Sequence, residues 1–454
     1  MDQAVQANSA GRPARARSLL TRVLRTIGPG ETTDQLAVLR GRAKVTLALA
    51  LFESGGRDAA FDLLAEAERS ATGPGSATVR TLAVIQRSGM YGRLGRWADA
   101  LAAMESIGGS AALVSPRAEA VVALNSGLAR QFLGDFVGSG ADLGRARALA
   151  VQHGLDDLAA AAIHNLGRLA FCRGDVSAAL HLMGQARGVS QAVRRSQTDL
   201  DQARVLLDAG LLDAAEELLA GAEVEARAAG LAHDVGEIAL ERARRALLLG
   251  EYDLARARSR AAVRAFSRRG ELAWRSQAEL LALEAELSVA GAATGRRGRS
   301  LAARAAAFAD GPAGDGGIAW EAQLLAAEAL ARSGDADGAR VRIGAPQTGA
   351  SGSGRLGRAT RLTLPNRLQL ALVRALVAVA ADDRTGVDRA LRSAVDQLAR
   401  EQGRYAGLDT RTAVALHGRR LLDLDVSRAL ADGDPVKAFA ATERWRGVSH
   451  RCLE

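Results

Sequence analysis

Small and apolar residues recur along the chain in units of about 40 residues, each centred on a glycine. A small residue usually stands seven positions before this anchor glycine, alanine or serine stands five positions after it, and a large apolar residue often stands nine after it. An internal repeat of this length predicts a stacked array of supersecondary units. The nine anchors are Gly11, Gly55, Gly95, Gly134, Gly174, Gly210, Gly250, Gly334 and Gly433.

The pattern around each anchor predicts a hairpin of two helices. Gly174, for example, is preceded by Gly167 and followed by Ala179, Met183 and Ala186. The anchor glycine should end the first helix, because the left-handed conformation of such a turn costs glycine little. Small residues at −7 and +5 should let the two helices cross closely. The large residue at +9 should fill the gap to the next hairpin.

One hairpin cannot bury its own apolar face, so the hairpins must stack. We predict an all-α fold, a right-handed α-solenoid of about ten or eleven hairpins. Degenerate units are expected around residues 291–298 and 382–390. The pattern resembles the tetratricopeptide repeat (TPR), with its small residue at position 8, Gly at 15, Ala at 20 and Ala at 27. The unit here is longer than the usual 34 residues, and the aromatic residues usual at positions 4 and 11 are mostly missing.

The same pattern divides the chain into three parts. Residues 1–344 are predicted to form a TPR-like superhelical block. Residues 345–365 are rich in Gly and Ser and are predicted to be a loop or hinge. Residues 366–454 are predicted to form the C-terminal hairpins.

Composition narrows the possible partners. The net charge is +9, and Lys44 and Lys437 are the only lysines, so nearly all of the positive charge is arginine. These arginines are interspersed with Asp and Glu, and the sequence has no helix-turn-helix, zinc-finger or RNA-recognition pattern. Nucleic acid is therefore not favoured as a partner. The most apolar segment is short and interrupted by Arg374, so we expect no membrane span.

Two cysteines, Cys172 and Cys452, are too few for a disulfide framework or a zinc site. The N-terminus lacks the apolar core of a secretory signal. We therefore expect a cytoplasmic protein with no metal and no cofactor. We also expect no catalytic residue: on one helix, His164 and Cys172 would lie roughly 12 Å apart, too far for a nucleophile and its base. Arg173-Gly174-Asp175 spells an adhesion tripeptide, but it falls on an anchor turn.

What remains is a binding surface on the first helices of the hairpins. In TPR hairpins, positions 6, 9 and 12 of the first helix face the groove. Amides there can pair with a peptide backbone, and arginine can bind a carboxylate through two hydrogen bonds. The predicted groove residues for a protein or peptide partner are Gln86, Asn125, Gln131, Asn165, Arg168, Asp201 and Arg204.

The last hairpin carries a second resemblance. Arg411, His417-Gly418 and the closing stretch "ALADGDPVKAFAATERWRG", with Glu443, Arg444 and Arg446, resemble the repeats that precede the peptidase domain of actinobacterial CHAT proteins. CHAT domains are caspase-like cysteine peptidases. The resemblance implies that such a domain would follow, so the chain is either a fragment or a stand-alone array. The catalytic His and Cys of the family belong to that domain and map onto no residue here.

The sequence thus predicts a non-catalytic TPR scaffold that binds a protein or peptide partner, such as a CHAT peptidase domain, and regulates it. The alternative is the ligand- or partner-sensing TPR region of a bacterial transcription regulator. An enzyme hidden around residues 291–365 would need a cluster of ionisable residues, and that region offers mainly Arg and Ala.

Overall fold

The structure is a computed structural model. It describes residues 1–9, 12–28, 33–71, 73, 75–189, 192–269, 271–289, 294–310, 317–344, 364–405 and 408–450. Over these ranges every regular element is a helix, as the repeat predicts.

The helices follow one another along the chain as α1 (Asp2–Ser9), α2 (Pro13–Ile27), α3 (Asp34–Glu53), α4 (Arg57–Arg69), α5 (Ser76–Arg93), α6 (Trp97–Val114), α7 (Pro116–Phe132), α8 (Phe136–Gln152), α9 (Asp156–Cys172), α10 (Val176–Val189), α11 (Ala192–Asp208) and α12 (Leu212–Ala229). They continue as α13 (Ala232–Leu249), α14 (Tyr252–Arg269), α15 (Leu272–Ser288), α16 (Gly295–Ala309), α17 (Gly317–Arg332), α18 (Ala336–Gly344), α19 (Leu364–Ala380), α20 (Arg384–Gln402), α21 (Leu408–Val414), α22 (Arg419–Ala431) and α23 (Pro435–His450). A 3-10 segment, Ala415–Gly418, joins α21 to α22.

Over the described residues the helices form eleven hairpins, from α1–α2 to the last one, in which α21, the 3-10 segment and α22 precede α23. This number agrees with the predicted ten or eleven. Gly11 lies outside the described residues. The other eight anchor glycines all lie in hairpin turns with positive φ, from 68° at Gly433 to 91° at Gly55.

The degenerate unit predicted around residues 382–390 is the α19–α20 hairpin. Its turn has no glycine; Asp382 takes the place of the anchor with φ 52°, the only positive φ of a non-glycine residue in the described part of the chain. Asp383 then caps α20, its Oδ1 accepting a hydrogen bond from the Gly386 amide at 2.9 Å. The turn geometry is therefore kept although the glycine is not, at a cost of roughly 1–2 kcal/mol.

Small residues before the anchor bring the two helices of a hairpin together. Ser88, seven residues before Gly95, donates a hydrogen bond from Oγ to the Ala100 carbonyl oxygen on α6 at 3.0 Å. A Cβ atom on Gly127 would lie 2.7 Å from Cγ of Leu143. The large residue at +9 therefore packs against the small residue of its own hairpin. The +9 residue Leu64 also shares a buried cluster with residues of α5, so the predicted packing on the next hairpin occurs as well.

By the density of their internal contacts the residues fall into two compact units. Unit 1 comprises Met1–Asp201 and Gly221–Ala232, and unit 2 comprises Gln202–Ala220 and His233–Glu454. Most of the predicted loop, residues 345–363, lies outside the described residues. Helix α19 begins at Leu364, so residues 364 and 365 are helical rather than part of that loop.

The close packing inside a hairpin predicts opposite effects of the same substitution at two glycines. A Cβ atom on Gly167 would lie 2.9 Å from Cγ of Met183 and 3.1 Å from the carbonyl oxygen of Ala179, whereas one on the exposed Gly184 meets nothing within 4 Å. Gly167→Ala should destabilise the fold by about 1–3 kcal/mol. Gly184→Ala, the matched control, should stabilise it by about 0.5–1 kcal/mol. Urea unfolding followed by circular dichroism measures both, and equal midpoints for the two variants would contradict this packing.

Candidate partner-binding surface

The first helices of unit 1 are neighbours in chain order: α5 contacts α7, and α7 contacts α9. Gln86, Asn125 and Asn165 lie on these three helices, each nine residues before its anchor glycine. Because they share one position of the repeat on neighbouring helices, they form a row, which we term the amide row.

The side chains of the amide row are half-buried. Those of Gln86 and Asn125 make no hydrogen bond to any described residue, and neither has a polar atom buried without a partner. Asn165 donates one hydrogen bond, from Nδ2 to the Ala161 carbonyl oxygen at 2.9 Å. Each amide thus keeps donor or acceptor capacity that a partner could use.

An aromatic stack joins two successive hairpins of unit 1. The rings of Trp97 and Phe132 are parallel within 2°, with centroids 3.9 Å apart. The guanidinium of Arg168, a predicted groove residue, lies 5.2 Å from the Phe132 ring centroid. Phe132 is 47% exposed. The three residues therefore present a rigid surface that is both apolar and cationic.

Trp97 and Phe132 are not among the predicted groove residues, although their positions in the sequence carry a signal. Each lies two residues from an anchor glycine, Trp97 after Gly95 and Phe132 before Gly134. Aromatic residues make up only 3% of the chain, so two of them at neighbouring turns could have drawn attention. The repeat pattern alone does not predict that residues near the turns of two successive hairpins contact each other.

Gln131 and Asp201, both predicted for the groove, are buried in unit 1 and make internal contacts. Gln131 donates from Nε2 to Cys172 Sγ at 3.4 Å. Asp201 Oδ2 lies 2.8 Å from Nε2 of His164. His164 and Cys172 thus have separate partners, as expected for residues two turns apart on one helix.

The Arg173-Gly174-Asp175 tripeptide is part of a hairpin turn. Gly174 has φ 84°, and Asp175 Oδ1 accepts a hydrogen bond from the Ala178 amide at 2.9 Å. Asp175 therefore caps the N-terminus of α10, and Asp135 does the same for α8. The tripeptide is the repeat's own turn.

Arg204, the last predicted groove residue, belongs to unit 2. Its guanidinium pairs with Glu237, lies 2.8 Å from Glu241 Oε1 and lies 5.8 Å from the centroid of the Trp274 ring. Arg204 therefore holds α11 against α13 and α15, with its charge balanced inside the protein.

His233 completes this charged cluster. Its Nε2 lies 2.5 Å from Glu237 Oε1 and its Nδ1 lies 2.9 Å from Glu271 Oε2. Burial favours the neutral ring, but the two carboxylates outweigh it and raise the pKa of His233 to about 9. Burial likewise acts to raise the pKa of Glu237, and Arg204 and His233 outweigh it, so that pKa lies below its usual range.

Residues of the CHAT-like stretch form the interior of the last hairpin. Asp425 Oδ2 accepts hydrogen bonds from Nη1 of Arg444 at 2.8 Å and from Nε1 of Trp445 at 3.0 Å. Arg411 donates from Nε to the Tyr405 carbonyl oxygen at 2.5 Å. On the outside, Arg446 pairs with Glu443 at 2.7 Å.

The half-buried His417 is different, because its partner lies on α11: its Nε2 donates to the Asp208 carbonyl oxygen at 2.9 Å. Burial lowers the pKa of His417, which is consistent with a neutral ring that donates from Nε2.

No protein-family model and no characterised protein matches the chain in sequence. Solved structures of similar fold include a signal-transduction ATPase with a tetratricopeptide repeat sensor from Pyrococcus horikoshii, at 14% identity and a TM-score of 0.48, covering 74% of this chain and 51% of that one. A Rap protein complexed with competence and sporulation factor is 14% identical with a TM-score of 0.45, covering 87% of this chain and 99% of that one.

A human IFIT1 dimer with m7Gppp-AAAA is 15% identical with a TM-score of 0.41, covering 96% of this chain and 94% of that one. At these identities the likeness concerns the helical fold alone. Among the described residues, no helix is long and apolar enough to cross a membrane.

The His233 cluster predicts a loss of stability in alkali. Because its folded pKa of about 9 exceeds the unfolded value of about 6.5, its contribution is complete below pH 6.5 and is lost as the pH rises through about 9. His233→Gln should therefore flatten the dependence of Tm on pH between about pH 6.5 and 9. His153→Gln, at an exposed histidine, should leave the dependence unchanged. Parallel curves for wild type and His233→Gln would refute the pairing.

Proposed function

We propose that the chain is a non-catalytic TPR-type scaffold that binds a protein or peptide partner through the amide row of unit 1. The observation that carries the proposal is the row itself: three half-buried amides at one repeat position, two of which have no hydrogen-bond partner among the described residues. The polar atoms of these two side chains are not buried, so their donors and acceptors are accessible to a bound ligand.

The spacing of the row suits an extended peptide. Packed helices lie about 8–10 Å apart, and an extended chain rises about 3.3 Å per residue. One amide would thus meet a peptide roughly every third residue and could both donate to and accept from its backbone. The stack of Trp97, Phe132 and Arg168 supplies the kind of aromatic and arginine anchor on which binding energy concentrates.

We further propose that the partner belongs to a CHAT-type cysteine peptidase system, with the last hairpin docking against the peptidase domain. The stretch from Arg411 to Arg446 resembles repeats of CHAT proteins, and three large apolar side chains also support this proposal. Leu430, Val436 and Phe439 on the last hairpin are 64%, 73% and 67% exposed. Exposed apolar side chains of this size suit a contact with another protein surface, such as that of a peptidase domain.

The amide row predicts a selective loss of binding. Peptides selected on the full chain from a displayed library should bind the Gln86→Ala/Asn125→Ala/Asn165→Ala variant at least about 10-fold more weakly, as expected for the loss of several hydrogen bonds. The control variant Gln152→Ala/Gln185→Ala removes exposed amides from second helices and should keep wild-type affinity. Fluorescence anisotropy measures both. Equal affinities, or selective binding of an RNA oligonucleotide in place of peptides, would contradict the proposal.

The non-catalytic part has its own test. The purified chain should hydrolyse no fluorogenic caspase-type peptide, because His164 and Cys172 have different partners and form no dyad. Turnover that survives His164→Ala and Cys172→Ala would show a catalytic site elsewhere and overturn the proposal. The coding sequence next to this one separates the two candidate systems: a peptidase segment favours the CHAT assignment, and a DNA-binding segment favours the sensing region of a transcription regulator.

A further inference from the structure

The stretch from Ala413 to Leu421, which we term the crossing segment, contacts four first helices of unit 2 far from it in sequence. Two contacts involve helix ends. His417 donates to the carbonyl oxygen of Asp208, the last residue of α11. Arg419 donates from Nη1 to the carbonyl oxygen of Leu249, the last residue of α13, at 2.7 Å.

These two acceptors are typical of helix C-termini, which leave carbonyl oxygens unpaired and carry a partial negative charge. Basic and N–H-bearing side chains are therefore the natural partners of this row of helix ends. The backbone also comes close, because a Cβ atom on Gly210 would lie 2.1 Å from the carbonyl oxygen of Ala413. The crossing segment is thus fitted to the ends of α11 and α13 by both side chain and backbone.

Arg420 binds carboxylates on α15 and α17, the first helices of the next two hairpins. Its guanidinium pairs with Glu328 of α17 and lies 3.6 Å from Glu284 Oε1 of α15. Glu328 is fully buried; its Oε1 also accepts from Arg332 Nε at 2.9 Å, while its Oε2 has no partner among the described residues. Burial raises the pKa of Glu284 to about 7, against the opposing effect of Arg420. A fully buried carboxylate such as that of Glu328 requires a cation partner.

A cavity of about 380 Å³ lies beside the crossing segment. Its apolar wall is formed by leucines, including Leu240, Leu280 and Leu325. Its polar end is formed by acidic and amide side chains of the first helices and by Arg244, which pairs with Asp208 and Glu241. The space next to the bound arginine is therefore large enough to accept further side chains.

The crossing segment is not a regular helix. The 3-10 segment Ala415–Gly418 interrupts it, and 3-10 hydrogen bonds have poorer geometry than those of an α-helix. Gly418 is wedged between two side chains, since a Cβ atom there would lie 2.7 Å from Cδ1 of Leu398 and 2.9 Å from Trp445. Contacts with the surrounding helices, rather than its own helical structure, hold this part of the chain.

We propose that the C-terminal ends of α11 and α13, together with Glu284 and Glu328, form a binding site for an arginine-bearing peptide, and that the crossing segment is its intramolecular ligand. An external peptide with the same Leu-His-Gly-Arg-Arg pattern replaces the segment. Guanidinium suits this site better than ammonium, because its planar fork reaches two carboxylates at once. The site goes beyond the proposed function, since it uses unit 2 and none of the amide row.

The test uses the full chain and a fluorescein-labelled peptide of residues 412–424. In the wild type the tethered segment competes at an effective concentration near millimolar, so the peptide binds weakly. Arg420→Ala removes the ion pairs of the tethered copy, and we expect the peptide to bind this variant at least about 10-fold more tightly. Arg428→Ala, which removes an arginine of α22 that pairs with Asp388 at 3.7 Å, is the matched control and should show no gain.

The peptide itself provides a second control. A peptide with Arg420→Ala should lose the gain in affinity, and one with Arg420→Lys should lose most of it. Equal binding of these peptides, or no difference between the Arg420→Ala and Arg428→Ala proteins, overturns the proposal.

Hydrogen exchange of the wild-type chain covers the case in which Arg420→Ala does not fold. Excess peptide should speed amide exchange in the crossing segment and leave α9 in unit 1 unchanged; no change in the segment overturns the proposal. A dimer that forms with rising concentration and protects the crossing segment would make a second copy the occupant and overturn the intramolecular assignment.

Discussion

The fold depends on the close approach of two helices within each hairpin. This approach requires a residue without a bulky side chain seven positions before the turn, and a turn residue that adopts a positive φ. Gly127 and Gly167 show the tightest version, in which a single methyl group would collide with Leu143 or Met183. The rest of the core follows from this contact, because alanine and leucine suffice once the backbones are near.

The two units treat the polar residues of their first helices differently. In unit 1, Gln86 and Asn125 keep amide groups that no described residue uses. In unit 2 the corresponding helices carry Arg204, Glu241 and Arg244, which pair with one another and with their neighbours. The polar positions of the first helices can therefore serve as an open binding row or as an internal ionic network, depending on whether their charges are complementary from one helix to the next.

The period of the anchor glycines predicted the helices, their pairing in hairpins and nearly every turn, because these features are local in sequence. It also placed the α19–α20 hairpin, where Asp382 replaces the glycine. It did not predict the contact of Trp97 with Phe132 or the path of the crossing segment. These depend on residues tens to hundreds of positions apart, and a repeat pattern describes only what recurs at one spacing.

The crossing segment changes how unit 2 can unfold. In an array whose hairpins contact only their neighbours, disorder can begin at the last hairpin and move inward one unit at a time. Here His417 is bound to Asp208, 209 residues away in sequence, and Arg420 is bound to Glu328. The last hairpin therefore cannot fray without breaking a ring that also includes α11. Closing this ring costs chain entropy when the protein folds, and in return unit 2 gains the cooperativity of a globular domain in place of the gradual melting of a linear stack.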